Sequence, residues 1–321
     1  MLYLNESDIK KIGIDWPKCI KIIEQAALCL KRGDFSQPLK PYLRYGSLKN
    51  RIIAMPAYVG GEIDMSGIKW IASFPDNIKK KLPRASCVVV LNDSHTGQPM
   101  AVINTALISI IRTASVTGLF LKHYRKVKKL NKINLGIIGW GPIGQNHLKL
   151  CTSIFGDHLE KIFLYDVRPI IFKDEIDENI RSKIVITKNW QESYLDSDIF
   201  ITCTVSAAPY IDQKPKSGAT LLNISLRDFK PDIYPYVKKS IIVDDWEEVC
   251  RENTDIEVLA KEKGLKQKDT YNLVDVVFNN CLTKLKNNNI MFNPMGLAVF
   301  DIAIASYYLK LANQLSIGKK V

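Results

Sequence analysis

Residues 134–147 read NLGIIGWGPIGQNH, and this stretch decides the fold. Leu135 to Gly139 is a short, continuous apolar run, the pattern of a parallel strand buried on both faces. It runs directly into Gly139-Trp140-Gly141-Pro142-Ile143-Gly144, and Gln145 to Phe155 then carries helix-forming residues. In such a strand–turn–helix, Gly139 makes the tight turn, Gly141 lets a pyrophosphate approach the backbone, and Gly144 lets helix and strand pack closely. Pro142 and Ile143 open the helix. Proline suits this first turn because its missing N–H is one of the unpaired donors anyway. The free N–H groups and the positive dipole end there favour phosphate.

A second strand, Lys161 to Tyr165, ends in Asp166, close to the ~20-residue offset at which a carboxylate reads the adenosine ribose hydroxyls. A carboxylate there repels a 2′-phosphate, so the expected cofactor is NAD rather than NADP. Arg168 is the residue that would partner a phosphate in the opposite case. A glycine-rich turn that binds no dinucleotide is the alternative; the strand, glycines, helix and acid together favour the dinucleotide.

Working outward, apolar runs at Leu135–Gly139, Ile162–Tyr165, Ile184–Thr187, Ile199–Cys203, Thr220–Ser225 and Ile241–Asp244 alternate with helical or loop sequence. Their spacing predicts a Rossmann-type α/β fold with a doubly wound parallel sheet. Upstream, Asp15, Pro17 and Gly33 bracket a helix whose stripe is Trp16, Ile20, Ile23, Ala27 and Leu30. Strands are expected at Arg51–Tyr58, Gly67–Ser73, Ser86–Asn92 and Pro99–Ile103, then a helix from Asn104 to about Tyr124. The stretch from Lys261 to Asn289 is polar and hard to read. The tail, Ile290 onward, with a helix from Leu297 to about Leu315, is expected to return to the first domain. The division is therefore a discontinuous α/β substrate and dimerisation domain, 1–124 and 293–321, around a dinucleotide domain, 125–292.

Composition narrows the class. Of 321 residues, 46% are apolar and 24% charged, which is ordinary for a soluble globular protein. No apolar run approaches the ~20 residues that span a bilayer, and MLYLNESDIKK is not a signal peptide, so a cytoplasmic location is expected. Seven scattered cysteines never form CxxC, and four histidines lack ligand spacing; neither a disulfide framework nor a metal site is expected. The net charge of +12 is mostly dispersed lysine, and its densest run, Lys122 to Lys132, reads as a solvated linker rather than a nucleic-acid surface.

Four polar residues stand out elsewhere. Arg44 follows Pro41-Tyr-Leu; Lys69 interrupts the apolar strand Gly67-Ile-Lys-Trp-Ile71; Arg112 opens a helix after Ser109-Ile-Ile; Asp228 follows the fifth Rossmann strand. Lys69 on a solvent-facing strand edge and Arg112 in a surface ion pair are the bland alternatives.

The segments GIKWIASFPDN, SIIRTASVTG, LGIIGWGPIGQ and NPMGLAVFD together resemble the ornithine cyclodeaminase/mu-crystallin family, over essentially the whole chain. The resemblance implies a dimer with a Rossmann domain. It places substrate-carboxylate arginines at Arg44 and Arg112, an active-site lysine at Lys69 and a catalytic aspartate at Asp228. Arg51 is a third, weaker carboxylate candidate. Thr204 and the Asn293-Pro-Met295-Gly296 segment are expected to flank the nicotinamide.

Two departures matter. The glutamate implicated in water activation in ornithine cyclodeaminases is replaced here by Ile53, and the usual GxGxQ-like loop is a full GWGPIG. QPLKPYLR, RIIAMP, SGIKWI, ITCTV, IVDDW and NPMG are instead similar to the branch that oxidises N-(2-amino-2-carboxyethyl)-L-glutamate. That resemblance implies a small anionic amino-acid substrate, oxidation of its secondary amine, and hydrolysis of the imine. The products are 2-oxoglutarate and L-2,3-diaminopropionate, the latter for siderophore or peptide natural products. An ornithine cyclodeaminase or imine reductase of the same fold is the alternative, followed by a non-catalytic binding protein.

Overall fold

The computed structural model describes residues 1–47, 49–172 and 175–321. The chain divides into two compact units, 1–116 with 296–321, and 117–295.

The first unit is built on one sheet. Its strands are β1 (Leu2–Asn5), β2 (Phe35–Ser36), β3 (Tyr42–Leu43), β4 (Arg51–Val59), β5 (Met65–Ser73), β6 (Ala85–Asp93) and β7 (Pro99–Asn104), with Lys319–Lys320 at one edge. From that edge the order runs β1-β7-β6-β5-β4-β2, with β3 also on β4. The long strands β4, β5, β6 and β7 pair antiparallel, so alternate residues point to opposite faces. On one face lies the C-terminal helix Ala298–Leu315, with helix Trp16–Arg32 against it. Residues 298–305 are all buried, as expected of a helix apolar on every side. Each such aliphatic side chain contributes about 1.5–3 kcal/mol on leaving water.

The helix at Trp16–Arg32 starts and stops where its caps direct. The Asp15 carboxylate accepts the Lys18 N–H at 3.0 Å, and Gly33 ends the helix at φ 71°. The cap contributes about 1 kcal/mol.

The second unit carries eight parallel strands: β8 (Ile133–Ile138), β9 (Leu159–Tyr165), β10 (Ile184–Ile186), β11 (Ile199–Thr202), β12 (Thr220–Asn223), β13 (Ile241–Val243), β14 (Tyr271–Asn272) and β15 (Ile290–Asn293). Their order is β10-β9-β8-β11-β12-β15-β13-β14. Every residue of β11, β12 and β15 is buried, as covering both faces of a parallel sheet requires. Six strands were expected and eight form among the described residues. The segment Ile290–Asn293, expected to lead the tail into the first domain, is an interior strand between β12 and β13. Its Ile-Met-Phe run is too short to tell a strand from a linker by pattern alone. The strand order reverses between β8 and β11, which makes the carboxyl ends of these two strands the topological switch point.

Candidate active site

The dinucleotide loop sits at that switch point. Gly139, at φ 92°, follows β8; a Cβ there would lie 2.4 Å from the carbonyl oxygen of Cys203, beyond β11. A Cβ on Gly144 would meet the Gly139 carbonyl oxygen at 2.1 Å. These two glycines are demanded by the protein's own backbone. Gly141 differs: a Cβ there would meet nothing within 4 Å, and the residue caps helix Pro142–Phe155 with no side-chain hydrogen bond. The open space in front of this helix end, with its uncapped N–H groups, fits a dinucleotide pyrophosphate.

Asp166 ends β9 and is held rather than loose. Its Oδ2 accepts the Trp140 N–H at 2.7 Å, and its Oδ1 accepts the Arg168 N–H at 2.9 Å and Arg168 Nε at 3.3 Å. Burial pushes this carboxyl up, and those donors outweigh it, leaving it below the usual range. The acid is therefore ionised as a ribose acceptor must be. Arg168 lies beside it with its side chain 58% exposed.

Asp228 lies in the loop after β12 and is fully buried. Its carboxylate accepts the hydroxyls of Thr204 and Ser225, and its own carbonyl accepts the N–H groups of Tyr210 and Ile211 at 2.9 and 2.8 Å. Desolvation raises its pKa above the ordinary carboxylate range, against the pull of these hydroxyls. Behind it sits Asp255, which sequence reading passed over. Asp255 Oδ2 accepts the backbone N–H of Asp228 and of Phe229, both at 3.2 Å, and Asn223 Nδ2 at 2.9 Å. Burial lifts the Asp255 carboxyl to about 7. The loop so held contains Leu226 at φ 64°, a strained conformation for a branched residue that its two backbone bonds to Asn223 and Asp255 maintain. Met295 donates its N–H to the buried Asp244 at 3.0 Å.

In the first unit, Lys69 is 1% exposed, so the solvent-facing alternative fails. It pairs across β4 and β6 with Met55 and Val89, on the face beneath the C-terminal helix. Its Nζ donates to Asp301 Oδ2 at 2.7 Å and to Ser109 Oγ at 3.3 Å. Burial, first, and the Arg112 charge lower its pKa to about 8, while Asp301 resists the fall. Arg112 does not open its helix, which begins at Leu107; it lies in the second turn, three residues after Ser109. Thr105 Oγ1 accepts the Leu107 N–H at 3.1 Å, three residues beyond the Asn104 start that the sequence pattern predicts. Arg112 Nε donates to the other Asp301 oxygen at 2.8 Å, which leaves its two Nη groups for other partners. They face Gly296, whose Cβ, if present, would lie 2.4 Å from Nη1. Gly296, at φ 90°, also takes a hydrogen bond on its carbonyl from the buried Lys40 at 2.8 Å.

Arg44 and Arg51 come together over one ring, 5.5 and 5.8 Å from the Tyr42 centroid. Tyr42 pairs with Ile53, and strand alternation puts Arg51 and Ile53 on the same sheet face as Lys69. Sequence reading missed Lys40, Asp255 and Asp301. Only Asp301 leaves a signal, as the one acid in the apolar run Leu297–Tyr308. Among the described residues no cluster of potential metal ligands occurs, and no helix is long and apolar enough to cross a membrane.

The chain thus combines a Rossmann-type unit with a mostly antiparallel sheet that buries a Lys–Asp–Arg triad. The chain belongs to the ornithine cyclodeaminase/mu-crystallin family, whose model matches residues 5–313. It is 36% identical to the N-((2S)-2-amino-2-carboxyethyl)-L-glutamate dehydrogenase of Staphylococcus aureus, over 99% of this chain and 97% of that one. It is 25% identical to the Delta(1)-pyrroline-2-carboxylate reductase of Bacillus thuringiensis, covering 94% of each. The solved Delta(1)-pyrroline-2-carboxylate reductase of Thermococcus litoralis, in complex with NADH and L-proline, superposes with a TM-score of 0.85 at 24% identity, covering 100% of both chains.

Proposed function

We propose that this chain is an NAD-dependent oxidoreductase acting on the secondary amine of N-((2S)-2-amino-2-carboxyethyl)-L-glutamate. The observation that carries the reading is Arg112, committed to Asp301 through Nε with its Nη pair left for a ligand, beside a buried lysine of lowered pKa. It occurs in a chain 36% identical to a dehydrogenase named for that substrate. A guanidinium so placed holds a carboxylate through two parallel N–H bonds. Arg44 and Arg51 supply further positive charge for a substrate with three carboxylates.

The bound nicotinamide supplies the hydride acceptor. Gly139, Gly141, Pro142, Ile143 and Gly144 would form the pyrophosphate cradle, Asp166 would read the ribose, and Thr204 and Met295 would flank the nicotinamide. The substrate nitrogen must lose its extra proton before hydride leaves the glutamate Cα, because an ammonium has no lone pair to form C=N. Neutral Lys69 takes that proton. Asp228 then accepts a proton from the water that adds to the imine carbon. The carbinolamine nitrogen takes that proton, the C–N bond breaks as the hydroxyl gives its own proton to Asp228, and 2-oxoglutarate and L-2,3-diaminopropionate separate. The diamine is a building block of siderophores and peptide natural products, and the enzyme serves such a route.

We further propose a homodimer formed through the sheet face of the first unit opposite the C-terminal helix. Alternation places Pro56, Ile68, Trp70, Val88 and Val90 there, and Trp70 is 42% exposed. The free, mostly buried cysteines fit a reducing cytoplasm.

Incubation of the purified chain with NAD⁺ and the named substrate should give NADH, 2-oxoglutarate and 2,3-diaminopropionate in equal amounts, read by absorbance and mass spectrometry. Cyclisation of ornithine to proline, or reduction of pyrroline-2-carboxylate, with no turnover of the linked substrate would overturn the assignment and leave the fold untouched.

A further inference from the structure

We propose that Asp301 is the positioning residue of the substrate site: its one carboxylate fixes both the proton-accepting Lys69 and the carboxylate-binding Arg112. The proposal rests on the functional reading above for its substrate. Its geometry stands apart from that reading. Asp301 has no exposed surface, and its two oxygens are divided, Oδ2 to Lys69 Nζ at 2.7 Å and Oδ1 to Arg112 Nε at 2.8 Å.

The division has consequences for each cation. An arginine can meet a carboxylate side-on through Nε and Nη, or end-on through its two Nη groups. With Nε committed to Asp301, Arg112 presents only the Nη pair. That pair packs against Gly296, where any side chain would collide with it. Asp301 therefore sets the direction from which a substrate carboxylate is gripped. On the other side, it anchors the lysine amine while leaving part of its hydrogen-bonding capacity for Ser109 and a substrate nitrogen.

The charges also couple. The groups facing Lys69 are Asp301 from the C-terminal helix, Arg112 from helix Leu107–Val127 and the Cys87 thiol from β6, with apolar Met55 and Val89 beside it on the neighbouring strands. Asp301 is the carboxylate among them. Removing its charge leaves burial and Arg112 unopposed, so the lysine deprotonates at lower pH than about 8. A role in packing alone would not move that titration.

The test compares wild type with Asp301→Asn, which keeps shape, and Asp301→Glu, which keeps charge. In wild type, kcat/KM for the linked substrate rises with pH through about 8 as Lys69 loses its proton. In Asp301→Asn the rising limb should move down by roughly one pH unit or more. KM should rise ~10-fold or more as the Arg112 fork loses its direction. Asp301→Glu should restore the limb and leave KM raised. An Asp301→Asn enzyme with an unmoved limb and wild-type KM would overturn the proposal. Should wild type not turn over this substrate, the functional reading fails separately. The Lys69 side-chain resonance, assigned through Lys69→Arg, is then titrated by NMR in wild type and Asp301→Asn, or in Asp301→Glu if the former does not fold. An unshifted titration in Asp301→Asn, or a Glu variant that titrates far from wild type, counts against the proposal.

Discussion

The two polar clusters of this chain meet the same difficulty in different ways. Around Asp301, a buried carboxylate is balanced by two cations on separate elements of the first unit. Around Asp228, a buried carboxylate receives hydroxyl donors from its own unit, with a second carboxyl, Asp255, directly behind the loop. Burial moves both key groups toward neutrality, Lys69 downward and Asp228 upward, because low polarity disfavours either charge. In the proposed mechanism the ion-paired cluster supplies a base, and the hydroxyl-lined cluster a carboxyl that holds its proton to higher pH than usual. Groups displaced from opposite ends of the scale suit paired acid–base chemistry.

The largest effect that would break this contrast is loss of either group. Lys69→Ala should lower kcat by ~10²–10⁴-fold while NADH affinity stays unchanged, and the rising limb near pH 8 should disappear from the profile. Asp228→Asn should lower kcat over a similar ~10²–10⁴-fold range yet keep that limb, because the lysine is untouched. Steady-state profiles between pH 6 and 10 would read both. A limb that vanished in Asp228→Asn as well would mean that the clusters titrate as one system.

Gly296→Ala sharpens the comparison at smaller cost. Its Cβ would collide with the Arg112 fork, and φ 90° disfavours any side chain, at about 1–3 kcal/mol. Substrate KM should rise ~10-fold or more with little change in NAD⁺ affinity, as measured by kinetics and calorimetry. A weakened NAD⁺ affinity with unchanged KM would instead assign Gly296 to the cofactor alone.

The smallest effect concerns the dinucleotide loop. Asp166→Ala removes the carboxylate proposed to face the ribose hydroxyls and the acceptor of Arg168 Nε. NAD⁺ should bind ~10-fold more weakly, about the loss of one charged hydrogen bond, while NADP⁺ binding strengthens. Tighter NADP⁺ than NAD⁺ binding in the wild type would overturn the ribose reading of Asp166.

Sequence by itself determined the parts whose physics is local. The run from Leu135 to Gly144 specifies a strand, a turn and a helix start within ten residues of one another, so buried strand, glycine spacing and proline can be read together. The alternation and turn residues of β4 to β7 are local in the same sense. Lys69, Arg112 and Asp228 could be singled out as polar residues against apolar surroundings, but the residues alone did not join them. Tertiary structure decided what holds them. Asp301 meets Lys69 across 232 positions and Arg112 across 189, and Asp255 meets the Asp228 loop across 27. An isolated acid in an apolar helix announces that it needs a partner, because an unpaired buried charge is too costly to keep. It does not say which cation arrives. That depends on which sheet face the helix covers, and so on the packing of the whole unit.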